Sequence, residues 1–519
     1  MTVRLLQWCT ASNNSWCGYQ GVMRAGKALS YCTQTLTSYS APQDTLYKRI
    51  SPNGDPRVSI LPILDQWVEE GKPVKIDELK TMIKLLRNYR RVEHALQLSE
   101  WMSERRYLDH SPGYVAVRLD LICRVHGLEE AEKYFDNIPN TLKTFKVYGA
   151  LLNCYAYSKS LERAEAIMQK MREMGFMKTL SYNVMLNLYS KMGKHEKLDT
   201  LIQEMEEKGI SLDNATFYIR LNSYSAVSDM EGMEKLLLKM EANPLITMDW
   251  NAYIVVANGY LKGGLVEKAF EMLKKAEKHI REGRRGFSYE ILLTMYASIA
   301  KKDELYRVWN LYKIKGKILN SGYFYMISSL IKLDDVDGAE KIFKEWESVN
   351  ASFDFRILNL LINAYGRQGL LGKAEAIVSR AIENGKEPPA STWDCLASIY
   401  YKDKQMQKAV DTMKKAVLAD QYGWKLNRVV LKGCLRHLKK KGDVEGTEKF
   451  VRLLREHGHF SQLSLTAPDG IENGSSGFRA LNELEGDDVE LHGETKMTMG
   501  IEYANNGPAG YKAHRLTRR

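Results

Sequence analysis

Three short patterns in the sequence could carry chemistry, and the first is a histidine close to a carboxylate. His492-Gly493-Glu494 has the His-x-Glu spacing of zinc deaminases, in which the histidine binds the metal and the glutamate transfers protons. Those enzymes complete the metal site with a Pro-Cys-x-x-Cys motif. This chain lacks that motif, and its last cysteine, Cys434, precedes His492. The sequence therefore argues against a deaminase.

The second pattern pairs a thiol with an imidazole. Cys123 and His126, and likewise Cys434 and His437, stand three residues apart, a spacing that on a helix lets both side chains bind one metal ion. The two pairs lie about nine repeats apart in the helical array inferred below, so four ligands cannot converge. Buried cysteine is the better interpretation, and we predict no metal site.

The third pattern imitates a phosphate-binding loop. Residues 366–373 read GRQGLLGK, but the glycine spacing is wrong, and Ala374 stands where Ser or Thr would hold Mg²⁺. The run also joins two predicted helices, with no strand before it. No Ser/His/Asp or paired-carboxylate arrangement can be inferred elsewhere. We therefore predict neither a cofactor nor catalysis, so the chain is not expected to be an enzyme.

The elements that would position any site follow from length and composition. The chain has 519 residues, about three times the roughly 150 expected for one domain, which favours several domains or a repeat. Its 44% hydrophobic and 27% charged residues exclude a wholly disordered polymer. No stretch of about 18 consecutive residues is apolar and without a charged residue, so no membrane span is predicted. Seven scattered cysteines suit reduced thiols and argue against secretion.

Both ends of the chain differ from its middle. Residues 1–43 contain three basic residues, no acid and many hydroxyls, which is typical of an organelle transit peptide. Residues 461–519 lose helical periodicity and include an acidic stretch, Glu483 to Glu490, which predicts a disordered tail. Residues 1–43 have a formal charge of +3 and residues 461–519 one of −3. The whole formal charge of +11 therefore falls on residues 44–460. That excess favours a polyanionic partner such as nucleic acid.

The middle of the chain repeats with a period of about 35 residues. An aromatic or aliphatic marker recurs at Tyr148, Tyr182, Phe217, Tyr253, Tyr289, Tyr323, Leu358, Trp393 and Leu431. A second apolar residue, usually tyrosine, follows seven residues later on the same helical face, and a mostly small residue such as Ala164 follows after sixteen. Each repeat therefore predicts two amphipathic helices. Neither helix can bury its apolar face alone, so the repeats must stack into an all-α, right-handed superhelical solenoid.

One repeat carries a family resemblance along its whole length. Residues 179–213, TLSYNVMLNLYSKMGKHEKLDTLIQEMEEKGISLD, are similar to the pentatricopeptide repeat in their Tyr-Asn pair, their second tyrosine, their glycine turn and their Met-x-x-x-Gly ending. The competing tetratricopeptide repeat expects glycine four residues after its marker, where this chain has residues such as Leu186. We predict a capping segment at 44–75 and a solenoid at 76–460. About eleven repeats are expected, beginning near Ile76, Pro112, Phe145, Thr179, Asn214, Trp250, Gly286, Asn320, Phe355, Ala390 and Arg428.

The resemblance implies a plant-type, organelle-targeted protein that binds single-stranded RNA, one base per repeat. In the family, the fifth and last residues of each repeat recognise the base edge, and the second residue, usually Val, packs between bases. Asn183 and Asp213 match a pair that favours uracil, and Asn359 is a further fifth-place asparagine, although Pro389 holds its last place. The expected RNA-binding residues are therefore Asn183, Asp213 and Asn359.

Most other repeats depart from the family pattern. Their fifth places hold Gly149, Tyr218, Ile254, Glu290, Phe324 and Asp394. Since Ile and Phe cannot form hydrogen bonds to a base, backbone-dominated binding of single-stranded or structured organellar RNA becomes the alternative to base reading. We expect a mitochondrial protein, or alternatively a plastid one, that serves RNA metabolism or translation. The competing hypotheses are a structural subunit of a ribonucleoprotein such as the mitochondrial ribosome, with other subunits as partners, and a protein-binding scaffold.

Overall fold

A computed structural model describes residues 44–52, 54–105, 111–243, 246, 248–280, 285–349, 353–419 and 424–459. The predicted transit peptide (1–43) and disordered tail (461–519) lie outside these residues. The chain divides into two compact units between Arg285 and Gly286. We call the described residues before this point the N-terminal array and those after it the C-terminal array. Within the described ranges the secondary structure is helical, with no β-strand.

The helices of the N-terminal array are α1 (Leu46–Ile50), α2 (Leu61–Glu69), α3 (Ile76–Asn88), α4 (Val92–Glu104), α5 (Pro112–His126), α6 (Leu128–Asp136), α7 (Phe145–Tyr157), α8 (Leu161–Glu173), α9 (Thr179–Lys191), α10 (His195–Glu207), α11 (Asn214–Ala226), α12 (Met230–Ala242), α13 (Trp250–Lys262) and α14 (Val266–Lys278). A short 3₁₀ helix, Asn140–Leu142, precedes α7. From α3 onward the helices form pairs of one first and one second helix.

The helices of the C-terminal array are α15 (Arg285–Ser298), which starts at the boundary, α16 (Lys302–Lys315), α17 (Asn320–Lys332), α18 (Val336–Val349), α19 (Phe355–Gln368), α20 (Leu371–Glu383), α21 (Ala390–Lys402), α22 (Met406–Leu418), α23 (Arg428–Lys441) and α24 (Val444–Glu456). All first helices begin at the predicted residue except α15, which begins one residue before Gly286. The predicted all-α fold of about eleven helix-turn-helix repeats is confirmed.

The turn inside each helical pair has a left-handed residue, whatever its type. Gly193 and Gly369 occupy this place with φ of 67° and 72°, while Lys159 and Ala300 occupy it with φ of 54° and 55°. A side chain in this region costs roughly 1–2 kcal/mol, which glycine avoids. Since several repeats tolerate that cost, the packing of the two helices fixes the turn more than its sequence does.

Apolar side chains at the repeat period form the core of each array. In α9 the marker Tyr182 is fully buried, and Ala164 of α8 is buried where neighbouring helices meet. The C-terminal array buries two large residues of its second helices, Trp309 and Trp346. Fully burying a large apolar side chain contributes about 1.5–3 kcal/mol, so stacking stabilises the array chiefly through these residues.

The segment before the first pair is anchored by a buried arginine. Arg91 Nη2 donates to the carbonyl of Ile50 at 3.1 Å, and its Nη1 donates to that of Ser51 at 3.2 Å. Burial lowers the pKa of both Arg91 and its neighbour His94. The residues predicted to cap the solenoid therefore contribute α1, whose Ile50 carbonyl accepts from Arg91 just before α4, and α2, whose Asp65 Oδ1 accepts from Trp101 Nε1 of α4 at 2.8 Å.

Consecutive repeats are also joined by a recurring polar triad. The eleventh residue of a repeat is tyrosine, its nineteenth is Lys or Arg, and both contact a glutamate that is the twenty-first residue of the preceding repeat. In one example Tyr260 Oη donates to Glu234 Oε1 at 3.0 Å, and Lys268 Nζ donates to the same oxygen at 2.6 Å. We call these triads the tyrosine–glutamate–cation ladder.

The ladder has three triads in the N-terminal array and two in the C-terminal array. They are Tyr155–Glu132–Arg163, Tyr189–Glu165–Lys197, Tyr260–Glu234–Lys268, Tyr365–Glu340–Lys373 and Tyr400–Glu375–Lys408. Desolvation and the glutamate raise the pKa of each tyrosine, to about 12 for Tyr189. The ladder therefore fixes the register of one repeat on the next.

No helix in the described part of the chain is long and apolar enough to cross a membrane.

Candidate nucleic-acid interface

Within each array, fifth-place residues of several first helices lie against the start of the next first helix. This follows from the stacking, because residues about 30 positions apart occupy neighbouring repeats. Five fifth-place residues contact side chains there, from the last residue of their own repeat or from the first residues of the next. The interface that the sequence predicts is therefore a set of short polar contacts between adjacent first helices.

Asn183 and Asp213 are brought together as the sequence predicts. Asn183 Nδ2 donates to Asp213 Oδ1 at 2.9 Å, which orients the amide. The Thr216 hydroxyl donates to Asn183 Oδ1 at 2.7 Å, a contact that the sequence analysis missed. Asn183 is only 5% exposed. With these bonds formed, its amide retains one N–H and one oxygen lone pair for a base.

Asp213 is fixed in turn by the helix that follows it. It is the N-cap of α11, and its Oδ1 accepts from the Thr216 backbone N–H at 3.0 Å. The Thr216 hydroxyl completes a capping box by accepting from the Asp213 backbone N–H at 3.3 Å. A carboxylate at a helix N-terminus is stabilised by the helix dipole. The local sequence Asp-Asn-Ala-Thr thus holds the group that orients Asn183.

The next repeat has a similar pair that sequence reasoning did not single out. Tyr218 Oη donates to Asp249 Oδ1 at 2.5 Å, and Asp249 also caps α13 by accepting from the Asn251 backbone N–H at 3.0 Å. The available signal was register, because Asp249 ends its repeat just as Asp213 does. A buried tyrosine therefore takes the place of the asparagine amide here.

Fifth-place residues of the C-terminal array have more varied partners. Glu290 Oε1 accepts from Ser321 Oγ at 2.6 Å. Phe324 lies under the guanidinium of Arg356, whose carbon is 5.9 Å from the ring centroid, and Arg356 forms an ion pair with Asp354 at 2.6 Å. These contacts involve a carboxylate and an aromatic ring, so this array lacks the amide–carboxylate pair of Asn183.

Two fifth-place residues hold oxygen atoms without a partner. Asn359 Nδ2 donates to Ser391 Oγ at 3.4 Å, but its buried Oδ1 has no hydrogen bond in the described part of the chain. Asp394 likewise has a buried, unpartnered Oδ1 among the described residues, and burial raises its pKa to about 7. An unsatisfied buried oxygen is costly, so both places could accept a donor from a ligand.

Second-place residues offer apolar surface beside these contacts. Leu180, Phe287 and Val429 are 57%, 46% and 62% exposed. Val429 is the second residue of the last repeat and matches the family preference for Val at that place, which the sequence analysis overlooked. Exposed apolar side chains at this place could pack against base faces.

Two of the three patterns that imitate catalytic sites lie within the described residues. Cys123 and Cys434 are buried, and the described residues contain no group of three or more His, Cys, Asp or Glu that could hold a metal. Residues 366–373 span the end of α19, a left-handed Gly369 and the start of α20. His492 and Glu494 lie outside the described residues.

Comparison with known proteins decides the family. Residues 177–226 match the PPR repeat family, residues 145–192 match the pentatricopeptide repeat domain, and residues 252–279, 325–350 and 356–385 match the PPR repeat. A mitochondrial pentatricopeptide repeat-containing protein of Arabidopsis thaliana is 45% identical over 434 residues, covering 83% of this chain and 89% of the relative. The chain belongs to the pentatricopeptide repeat family. The predicted membership is therefore confirmed.

The chain is also similar to other proteins, at lower sequence identity. A second mitochondrial protein of Arabidopsis thaliana is 36% identical, with coverage of 88% of this chain and 94% of the relative. The large ribosomal subunit protein mL101 of the same plant is 34% identical, with coverage of 80% and 85%. The crystal structure of PPR10 from maize is similar at 15% identity, with a TM-score of 0.36, over 91% of this chain and 78% of that one.

Proposed function

We propose that this pentatricopeptide repeat protein binds RNA in mitochondrial gene expression without a catalytic step. The observation that carries the proposal is the bond of 2.9 Å between Asn183 Nδ2 and Asp213 Oδ1. It presents an oriented amide at the place where the family recognises a base. The contrast with Phe324 and Ile254 favours binding that depends mainly on the RNA backbone, with base reading confined to few repeats.

The proposed location rests on relatives and on charge. Several similar proteins of Arabidopsis thaliana are named mitochondrial. The acid-free, basic segment 1–43 suits an import signal, and the charge of +11 on residues 44–460 suits a polyanion. Removing residues 1–43 from a fluorescent fusion should abolish import. A truncated fusion that still enters mitochondria would contradict the proposed signal, and entry of the full chain into plastids would favour the alternative location.

RNA binding is tested with the purified full chain and unstructured RNAs that carry uracil at one variable position. Affinity should fall with salt at a log–log slope of roughly −0.7 per phosphate contacted. Asn183→Ala with Asp213→Ala should remove the uracil preference, worth on the order of 1 kcal/mol, and leave that slope nearly unchanged. Asn359→Ala tests the second expected asparagine at its own register.

Asp229→Ala is the matched control. Asp229 is also an N-cap, accepting from the Gly232 backbone N–H at 2.8 Å, but it lies at the opposite end of α11 from Asp213. The Asp229→Ala substitution removes one negative charge, as Asp213→Ala does, and should preserve the uracil preference. A uracil preference that survives the double substitution would contradict base reading by Asn183. If the wild-type protein shows no salt-dependent binding to RNA, the proposed RNA binding itself is contradicted.

A second candidate function is that of a ribosomal subunit. It is favoured by the 34% identity to mL101, a large ribosomal subunit protein, and by fifth-place residues such as Phe324 that cannot read bases. Crosslinking in organelles with sequencing of bound RNA, run beside a sedimentation gradient, separates the two. A subunit should cosediment stoichiometrically with a particle and crosslink to ribosomal RNA, whereas a helper should be recovered with a few transcripts outside it.

A further inference from the structure

The first helices of four consecutive repeats have asparagine at their ninth place. In chain order these are Asn153 of α7, Asn187 of α9, Asn222 of α11 and Asn258 of α13, all within the N-terminal array. The ninth residue follows the fifth by four positions, so the two side chains lie on one face of the helix, one turn apart. The four asparagines therefore form a second row beside the fifth-place residues, which we call the amide row.

Three of these amides have groups that the protein leaves unpaired. Asn187 and Asn222 form no hydrogen bond within the described part of the chain, and the buried Oδ1 of Asn258 has no partner among the described residues. Asn153 differs, because its Nδ2 donates to Asp120 Oδ1 at 3.1 Å. Since an unsatisfied polar group is costly, the row has donors and acceptors that a ligand can satisfy.

The amide row is also more accessible than the fifth-place residues of the same helices. Asn183 and Tyr218 are both 5% exposed. Asn187 and Asn222, one turn further along, are half-buried, as is Asn258 as a whole. The broad terminal torsion of asparagine lets Asn258 exchange the positions of its oxygen and its Nδ2. A strand that lies on this face therefore meets the ninth places as readily as the fifth places.

The ninth places of the C-terminal array are different. One of the five is asparagine, and the residues are Thr294, Ser328, Asn363, Ser398 and Arg436. Asn363 Nδ2 contacts Cys395 Sγ at 3.5 Å, and Ser398 Oγ accepts from Asn427 Nδ2 at 3.3 Å. A run of asparagines in consecutive repeats is therefore a property of the N-terminal array.

We propose that the amide row binds ribose 2′-hydroxyls of single-stranded RNA and so makes the protein select RNA over DNA. An asparagine amide has N–H donors and a carbonyl acceptor, and a 2′-hydroxyl likewise donates and accepts. A phosphate only accepts, so it would leave the oxygen of Asn258 without a donor. Among the groups of the RNA backbone, the 2′-hydroxyl supplies that donor, and DNA lacks it. The inference rests on the proposed RNA-binding function.

The test measures the affinity of the full chain for a single-stranded RNA and for an oligonucleotide of the same bases, uracil included, in which every ribose is 2′-deoxyribose. The wild type should prefer the RNA. Asn187→Ala with Asn222→Ala and Asn258→Ala should lower the RNA-to-DNA affinity ratio by about tenfold or more, because a neutral hydrogen bond contributes roughly fivefold. The salt slope should not change, since no charge is removed. Alanine favours helix, so the variant should fold, which circular dichroism checks.

The matched control is Asn137→Ala with Asn310→Ala and Asn384→Ala. These three asparagines are exposed and lie outside the first helices, so the control removes as many amides and should retain the wild-type ratio. The inference is overturned if the wild type binds both strands equally, if its preference survives the amide-row substitutions, or if those substitutions weaken both strands equally. Where salt-dependent RNA binding persists in these results, the proposed function stands. A wild type that binds neither strand contradicts both.

Discussion

The tyrosine–glutamate–cation ladder and the fifth-place residues join the same neighbouring repeats, yet one is regular and the other is not. Five ladder triads have the same residue types at the same places. The fifth places instead range from Asn183 to Phe324 and Asp394. Where a nineteenth residue is not a cation, as at Gly232 and Gly338, the preceding twenty-first residue is not glutamate.

This contrast follows from what each contact must satisfy. A ladder glutamate needs a positive partner on the next repeat, so the glutamate and the cation of a triad are present or absent together. A fifth-place residue needs only to fit beside the next first helix. Contacts of the ladder type therefore maintain the stacking, whereas the fifth places are free to differ in chemistry.

The largest expected effect comes from breaking the periodicity that the ladder requires. Deleting residues 214–249 removes one whole repeat and should leave a folded, shorter array. Deleting residues 214–231 removes half as many residues, but it cuts into a helix pair, because it removes α11 and the first two residues of α12 and leaves the rest of α12 without its partner helix. Met233, Leu236, Leu237 and Met240 would lose their cover, at about 1.5–3 kcal/mol each.

Soluble yield and thermal unfolding followed by circular dichroism measure this effect. The shorter deletion should aggregate or unfold at a lower temperature than the longer one. Greater damage from the longer deletion would contradict the independence of the repeats on which the comparison rests.

The next largest effect concerns the carboxyl group of Asp394. Burial raises its folded pKa to about 7 from 3.8, so the folded state binds more protons than the unfolded state between these values. The free energy of unfolding should therefore decrease as pH rises from about 4 to about 7, by up to about 4 kcal/mol at 1.36 kcal/mol per pKa unit. Asp394→Asn should flatten this dependence in urea unfolding between pH 4 and 8. An unchanged slope would show that Asp394 titrates normally.

Ladder carboxylates should show the opposite pH dependence. The hydrogen bond from Lys268 lowers the pKa of Glu234 below 4.5, and the bond from Tyr400 does the same for Glu375. Their contribution to stability is complete above pH 4.5 and is lost as pH falls through the folded pKa. Glu234→Gln should therefore destabilise the chain at pH 7 and have less effect near pH 3. An equal effect at pH 7 and near pH 3 would contradict an electrostatic role of the ladder.

A smaller effect is expected from a single hydroxyl of the ladder. Tyr260→Phe removes the donor to Glu234 and should lower the free energy of unfolding by about 1 kcal/mol. Tyr224→Phe is the matched control, because Tyr224 is also an eleventh residue but its repeat has Gly232 at the nineteenth place. Urea unfolding should show less than about half the effect for the control. Equal losses would mean that the ladder bond adds nothing.

The smallest effect should come from the threonine behind the fifth-place amide. Thr216→Val removes the hydroxyl that donates to Asn183 Oδ1 and accepts from the Asp213 backbone N–H, while the Asp213 carboxylate still accepts from the backbone N–H of residue 216. The uracil preference should fall by a few tenths of a kcal/mol to about 1 kcal/mol, because the amide is less firmly oriented. Binding to otherwise identical RNAs with uracil or cytosine at the variable position measures it. An unchanged preference would show that Asp213 alone orients Asn183.

The sequence by itself determined the helices and their period. Apolar residues spaced for helices, and markers about 35 residues apart, were sufficient to predict where ten of eleven first helices begin. They also predicted that Tyr182 and Tyr189 are buried. This succeeds because hydrophobic periodicity is a local property of the chain. The pairing of Asn183 with Asp213 was implied by the family resemblance, which names the fifth and last places of a repeat.

Only the tertiary structure decided what the polar atoms of those residues contact. The sequence indicated Tyr260 as an apolar marker, while stacking places its hydroxyl on Glu234, 26 residues away. It also left Asp394 as one more irregular fifth place, whereas enclosure by neighbouring helices raises its pKa to about 7. Hydrogen bonds and desolvation depend on atoms from several repeats within a few ångströms, and residue types along one chain do not specify that arrangement.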